Sequence, residues 1–293
     1  MQKRLPMKRV LMLFLLLLYT CSFSFAQSSP KSSLLWEISG KGLQQPSYIF
    51  GTFHMMCKED FIISDIMLSK LTGTAQFFGE VDLDDPAMQA KLVAKLMMTD
   101  KTWQSLLSAD DYQKMSSKFQ SVTGMPMAMF NKFKPFMGLS LLMINTFDCA
   151  EKVQPETEMV KIAKENHLPI RGLETVEEQM DVIDKEPIDS QMKELKQSVL
   201  NFDSIKIGLS QMLTVYKTRN IDSLNAFIKK TGINEDFSVE LLDHRNKKWI
   251  PLIEKAITEK ATFFAVGAGH LGGSEGVLSL LRKQGYRVIP VTY

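Results

Sequence analysis

Two segments far apart in the chain repeat one pattern: an apolar run, a glycine, two residues, then a histidine. The first is Ser47-Tyr48-Ile49-Phe50-Gly51-Thr52-Phe53-His54; the second is Thr262-Phe263-Phe264-Ala265-Val266-Gly267-Ala268-Gly269-His270. Aromatic and β-branched residues dominate both runs, as in a buried strand. A glycine within such a run marks a close approach of backbone or ligand. Ligands of open α/β sheets collect at the carboxyl ends of strands, so the repeat predicts two imidazoles delivered to one crevice. One Gly-x-x-His is short enough to arise by chance, and a histidine at a strand end is commonly just a satisfied polar group. Two copies at the same offset, among only four histidines, carry more weight. The other two, His167 and His244, fall at a polar helix end and in a charged helix.

The first 26 residues read as an export signal rather than fold. Lys3, Arg4, Lys8 and Arg9 form a basic start, Val10 to Tyr19 is an apolar run too short for an ordinary span, and Ser24-Phe25-Ala26 offers a cleavage site. Cleavage near Ala26 gives a periplasmic or secreted protein with no transmembrane segment. A lipid anchor on Cys21 is the competing reading; Leu18 suits it, whereas Tyr19 and Thr20 do not. The chain has 35 Lys and Arg against 33 Asp and Glu, a net of +2; the signal holds four of the bases and no acids, which leaves 31 against 33 and a net of −2. The apparent basicity belongs to the signal, so nucleic acid is not an expected partner. Cys57 and Cys149 are the cysteines that remain, and in an oxidising compartment they can pair in one way, fastening the loop after His54 to the helical region. Two free buried thiols are the alternative.

The remaining length suits one α/β domain over 34–293, after a polar linker at 27–33. A mixed β-sheet flanked by helices is expected, with a mostly helical insertion at 86–230 between its N-terminal and C-terminal parts. Residues 34–39 and 47–53 read as a hairpin, and 62–71 as a helix with Ser64 as N-cap. Strands are expected at 76–83, 168–174, 262–266 and 286–291. Helical spacing marks 86–98, 109–121, 126–146, 156–166, 175–184, 188–218, 239–257 and 275–284.

Several residues in this frame invite chemistry. Glu80 follows Phe77-Phe78-Gly79 inside an apolar run, where an unpaired carboxylate is costly, so it calls for a cation, protein or metal. Asp82, Asp84 and Asp85 sit beside it, but Asp84 and Asp85 before Pro86 read as a helix start. Glu174 is either a further site residue or the acid that opens the next helix. Alternating Met125, Met127 and Met129 suit Cu(I) in an exported protein, but methionine more often fills irregular cores. The Gly-x-Gly-x-x-Gly match at 267–272 lacks a Walker lysine and the acid of a dinucleotide fold, and Glu275 would repel a phosphate.

The paired Gly-x-x-His strands, Phe78-Gly79-Glu80-Val81-Asp82, Gly172-Leu173-Glu174, Arg245-Asn246 and the closing Phe-Phe-Ala-Val-Gly-Ala-Gly-His-Leu-Gly-Gly resemble the TraB/GumN family from about Leu34 to the end. That family is grouped with the TIKI metal-dependent peptidases and, more remotely, with erythromycin esterases and ChaN-like haem-uptake proteins. The resemblance implies a catalytic set: His54, His270 and Glu80 as ligands of a divalent metal (Mn, Co or Zn), with Glu80, Arg245 and Asn246 as catalytic residues. Asp82 and Glu174 match family positions of less defined role. A metal held by two imidazoles and a carboxylate can acidify water, with Arg245 as oxyanion partner. Histidine and glutamate acting on water without metal is the other hydrolytic route. A crevice that only binds a peptide, or a small ligand such as haem, is the non-enzymatic alternative. No His-Glu-x-x-His helix is present, so a zincin is not the pattern.

Overall fold

The structure is a computed structural model that describes residues 32–230 and 235–293. The segment 1–26, read as an export signal, and residues 27–31 of the expected linker lie outside the described residues. The hairpin forms as expected. Strand β1 (Leu35–Ser39) runs antiparallel to β2 (Ser47–Thr52), with Leu35 opposite Phe50, and the turn between them takes Gly40 and Gly42 at φ of 82° and 81°. The end of the linker is built into the fold: Ser33 is buried, and its hydroxyl donates to the Val291 carbonyl at 2.7 Å.

Six further strands follow in chain order: β3 (Met56–Cys57), β4 (Gln76–Gly79), β5 (Lys152–Val153), β6 (Ile170–Gly172), β7 (Thr262–Gly267) and β8 (Arg287–Pro290). Among the described residues, six strands form a mixed sheet in the order β6-β4-β7-β2-β1-β8, and β3 and β5 form a separate two-stranded ribbon. Within the sheet, β1 alone runs opposite to the other five strands. The two Gly-x-x-His strands lie side by side and parallel, from Tyr48 opposite Phe263 to Thr52 opposite Gly267. The chain leaving β4 goes to β6 at one edge, whereas the chain leaving β7 goes to β8 at the other. Crossovers in opposite directions put helices on opposite faces, and they open a crevice above the carboxyl ends of β4 and β7.

Buried aromatic and aliphatic residues hold the sheet. Phe77 stacks on Phe263 at 6.2 Å and Phe78 packs on Phe264 at 5.5 Å, within a core that also takes Ile49, Val266, Trp249 and Ile253. The helical insertion has a second core of its own around Trp103, Phe119, Phe130 and Leu195. Met127 is fully buried in that second core, which is the packing role of methionine.

Helix boundaries differ from expectation where polar caps and prolines intervene. The helix expected over 188–218 is two, Ile188–Leu200 and Phe202–Lys217, because the Asn201 side chain donates to the Gln197 carbonyl and caps the first. The stretch 126–146 divides into a 3₁₀ turn Met127–Phe130 and a helix Pro135–Ile144, with Pro135 in the first turn where its missing N–H costs nothing. The stretch 239–257 begins as a π-helical turn, Val239–His244, and continues as the helix Arg245–Glu259. The strand expected to 83 stops at Gly79, which places Glu80 at the rim of the sheet instead of within it. The helix Ile221–Lys230 was not expected from spacing.

Candidate functional site

The parallel strands β2, β4, β6 and β7 each carry a glycine at or next to their carboxyl end: Gly51, Gly79, Gly172 and Gly267. The polar residues of the crevice follow these glycines within three positions: His54, Glu80, Glu174 and His270. The pattern has a steric cause, clearest at Gly267. A Cβ there would lie 2.7 Å from His54 Nε2, 2.9 Å from His54 Cε1 and 3.2 Å from Glu80 Oε1. The bare Cα therefore makes room for an imidazole from β2 and a carboxylate from β4 to meet over β7. The Gly267 N–H donates to Glu80 Oε1 at 2.7 Å, and His270 Nε2 stands 3.7 Å from the same oxygen.

Arg245 is the cation that Glu80 requires. Its Nη2 donates to Glu80 Oε2 and to Glu174 Oε1, both at 2.6 Å; Nε reaches Glu174; Nη1 donates to the Leu241 carbonyl at 3.0 Å and to His270 Nε2 at 3.1 Å. The Leu241 carbonyl belongs to the π-helical turn, a distortion that often marks functional positions. All five guanidinium N–H groups are thus engaged and the residue is buried. The expected oxyanion role of Arg245 is at odds with this arrangement, since no N–H remains for a substrate. Arg245 instead anchors two buried carboxylates and one ring.

His270 is buried between Asn246 and Arg245, with Trp249 over its ring at 4.4 Å. Its Nδ1 meets Asn246 Oδ1 at 2.7 Å, while the Asn246 amide nitrogen donates to the Glu275 carbonyl. That orientation makes Nδ1 the protonated nitrogen and turns the Nε2 lone pair toward Arg245 and Glu80. Burial, with Arg245 and His54 adding to it against the pull of Glu80, depresses the His270 pKa to about 3, so the ring is neutral. Burial alone would raise the Glu80 pKa, but attraction to His270, His54 and Arg245 and the Gly267 N–H bring it down to about 2. With His270 neutral, the lasting part comes from His54, Arg245 and the backbone.

His54 differs. Its Nδ1 lies 2.6 Å from Glu156 Oε1, and its side chain is 68% exposed. Crowding at the polar edge of the ring opposes its charge, yet the Glu156 bond and charge, with Glu80 behind them, raise its pKa to about 9. Solvent around the open face softens both influences.

Of the other sequence candidates, Glu174 joins the Arg245 network and also accepts from Trp249 Nε1 at 3.3 Å. Asp82 stays outside it: its Oδ1 accepts the Asp84 N–H, and it lines an adjoining pocket of about 290 Å³ with Asp85, Lys91, Glu174 and Glu177. Asp85 accepts the Ala87 N–H as a turn residue. Sequence reasoning missed Glu156 and Gln179. Gln179 donates to Glu80 Oε2 and Glu174 Oε1, both at 3.2 Å. Glu156 has an available signal, because a helix that returns beneath a parallel sheet starts near the carboxyl ends of its strands.

Donor chemistry is the fit test for a metal. Both imidazoles have Nδ1 held by an oxygen and Nε2 turned to the Gly267 cradle, as in histidines that bind metals. Glu80 Oε1 lies between them, so the set suits a divalent ion. Among the described residues, however, no three His, Cys, Asp or Glu side chains are already grouped to hold one, and Arg245 Nη1 occupies the His270 Nε2 lone pair. A metal there would have to displace that hydrogen bond.

A mixed-sheet α/β fold with a histidine–glutamate–arginine cluster at its switch point defines the class. The chain belongs to the TraB/PrgY/gumN family, whose model matches residues 34–290. Among curated proteins it is similar to Metalloprotease TIKI2 of Danio rerio, 24% identical over 88% of this chain and 60% of that protein. Metalloprotease TIKI1 of Xenopus tropicalis and of Homo sapiens are each 24% identical, over 90% and 89% of this chain and 62% of theirs. The chain spans about three fifths of the length of these relatives. No solved structure matches it. Among the described residues no helix is long and apolar enough to cross a membrane, and Cys57 and Cys149 are joined in a disulfide.

Proposed function

We propose that the protein is an exported, metal-dependent hydrolase of peptide bonds, working in the crevice where His54, Glu80 and His270 meet. The observation that carries this reading is the Gly267 cradle, where His54 Nε2 and Glu80 Oε1 converge beside the neutral ring of His270. The named relatives are metalloproteases, and a disulfide suits a chain outside the cytoplasm. His54 Nε2, His270 Nε2 and Glu80 Oε1 would hold the ion, with Mn²⁺, Co²⁺ and Zn²⁺ as candidates. Such an ion supplies Lewis acidity, polarising a carbonyl and acidifying water.

The protein's own groups divide the remaining work. Glu80, ionised and held on both oxygens, contributes fixed negative charge; its depressed pKa makes it a poor proton acceptor near neutrality. His270, neutral with its Nδ1–H on Asn246, offers the Nε2 lone pair as a ligand. With Nδ1 held by Glu156, His54 would give Nε2 to the ion, which requires the ring to lose its second proton. Arg245 holds Glu80, Glu174 and His270 in place.

The test is turnover of a peptide library by purified protein, with metal content measured on the same sample. Chelation should abolish turnover, one of Mn²⁺, Co²⁺ or Zn²⁺ should restore it, and Glu80→Gln, which removes a ligand and the fixed charge, should lower it sharply. Turnover that survives both chelation and Glu80→Gln overturns the reading. Stoichiometric peptide or haem binding without turnover transfers the crevice to a binding protein.

A further inference from the structure

We propose that Glu156 positions His54, fixing which ring nitrogen faces the crevice. The inference rests on the hydrolase reading for what His54 does, but not for the contact itself. Glu156 stands in the first turn of the helix Pro155–Glu165, a usual place for an exposed acid. Here the side chain is only 14% exposed. One oxygen, Oε1, accepts from Thr52 Oγ1 at 2.5 Å and meets His54 Nδ1 at 2.6 Å. Thr52 is the last residue of β2 and is itself buried, so the carboxylate is aimed at the strand end and not at solvent. Donation from Nδ1 leaves Nε2 as the atom over Gly267.

The surroundings lock this pair together. β3 and β5 run antiparallel, with Met56 opposite Val153 and Cys57 opposite Lys152. Extending that ladder back from Met56 and forward from Val153 brings His54 and Glu156 to the same end of the ribbon. The Lys58 N–H donates to the Glu151 carbonyl at 3.1 Å, and the Cys57–Cys149 disulfide closes the other end. A helix-start acid with no further task would need none of this. Histidines that bind metals or protons commonly rely on such an oxygen partner, whose loss costs about 10–100-fold in metal affinity or activity.

The decisive measurement is the His54 tautomer, read by ¹⁵N NMR of ¹⁵N-histidine-labelled protein at pH 10 and assigned by loss of its signals in His54→Ala. Wild type should show protonated Nδ1 and bare Nε2, and Glu156→Ala should show a substantial Nε2–H population. Should Glu156→Ala not fold, Glu156→Met fills comparable volume without an acceptor oxygen and carries the same comparison. An Nδ1–H tautomer that persists in the folded variant overturns the proposal. Zn²⁺ titration by calorimetry is the second readout, with affinity expected to fall about 10–100-fold in the variant. Unchanged Zn²⁺ affinity also overturns it. Wild-type protein that binds no Zn²⁺ tells against the metal reading instead, and the tautomer still decides the role of Glu156.

Discussion

At the residue scale, the centre depends on one buried guanidinium serving two carboxylates. Arg245, Glu80 and Glu174 all have side chains less than a tenth exposed, so none can turn to water for compensation. Removing one partner of a buried ion pair is more damaging than never having had the pair, because a desolvated charge is left behind. Arg245→Met should therefore cost about 3–5 kcal/mol, measured as a shift in urea midpoint. Glu80→Gln in the same chain should recover part of that loss, since a neutral amide needs no counter-charge. Equal midpoints for wild type and Arg245→Met would show that the network contributes little to the fold.

At the element scale, β7 is where strand and site impose opposite demands. Its φ of −53° at Gly267 is ordinary for any residue, so the glycine is needed for space and not for backbone freedom. Gly267→Ala pushes against the end of the His54 ring, whose open face is exposed, and crowds Glu80 Oε1 at 3.2 Å. The variant should keep its melting transition, with a stability change within about 1 kcal/mol, and lose turnover. Gly51 has a different task. A Cβ there would meet Leu271 Cδ1 at 2.7 Å and Ala268 Cα at 3.0 Å, so it lets the turn after β7 settle on β2. An active, metal-binding Gly267→Ala protein would remove the cradle from the mechanism.

On the scale of the whole molecule, the sheet and the helical insertion have separate buried cores, and the Cys57–Cys149 bridge lies on the sheet side, where Met56 belongs to the first core and Phe147 and Val153 pack against it. The bridge joins cysteines 92 residues apart, and by loss of loop-closure entropy it should stabilise the fold by about 4–5 kcal/mol. Reductant should lower the melting temperature accordingly, and intact protein under denaturing, non-reducing conditions should take up no alkylating agent at either thiol. Two alkylated thiols in protein from an oxidising compartment contradict the bridge. Its place next to the β3–β5 ribbon also means that reduction should loosen the loop carrying His54 before it loosens β4 or β7.

Much of this architecture follows from local pattern. Apolar runs broken by glycine located β2 and β7, Gly40 and Gly42 located the hairpin turn, and Ser64 capped its helix through the Met67 N–H. These features depend on neighbours in sequence, so short-range chemistry is enough to read them. The same reasoning marked Glu80 as a carboxylate in need of a cation, because burial of an unpaired charge is prohibitive wherever it occurs. It could not say which cation, since the partner lies 165 residues away on a helix whose rotation is set by packing Trp249 and Ile253 into the core. Gln179 was hidden for the same reason, as an ordinary polar residue near a helix start, and Glu156 offered only its place at the start of a helix returning under the sheet. Only the sheet order, with β7 inserted between β4 and β2, brings their helices to the rim where His54 and Glu80 meet. Local propensity determined the pieces and the glycines that end them; long-range packing decided which charges became partners.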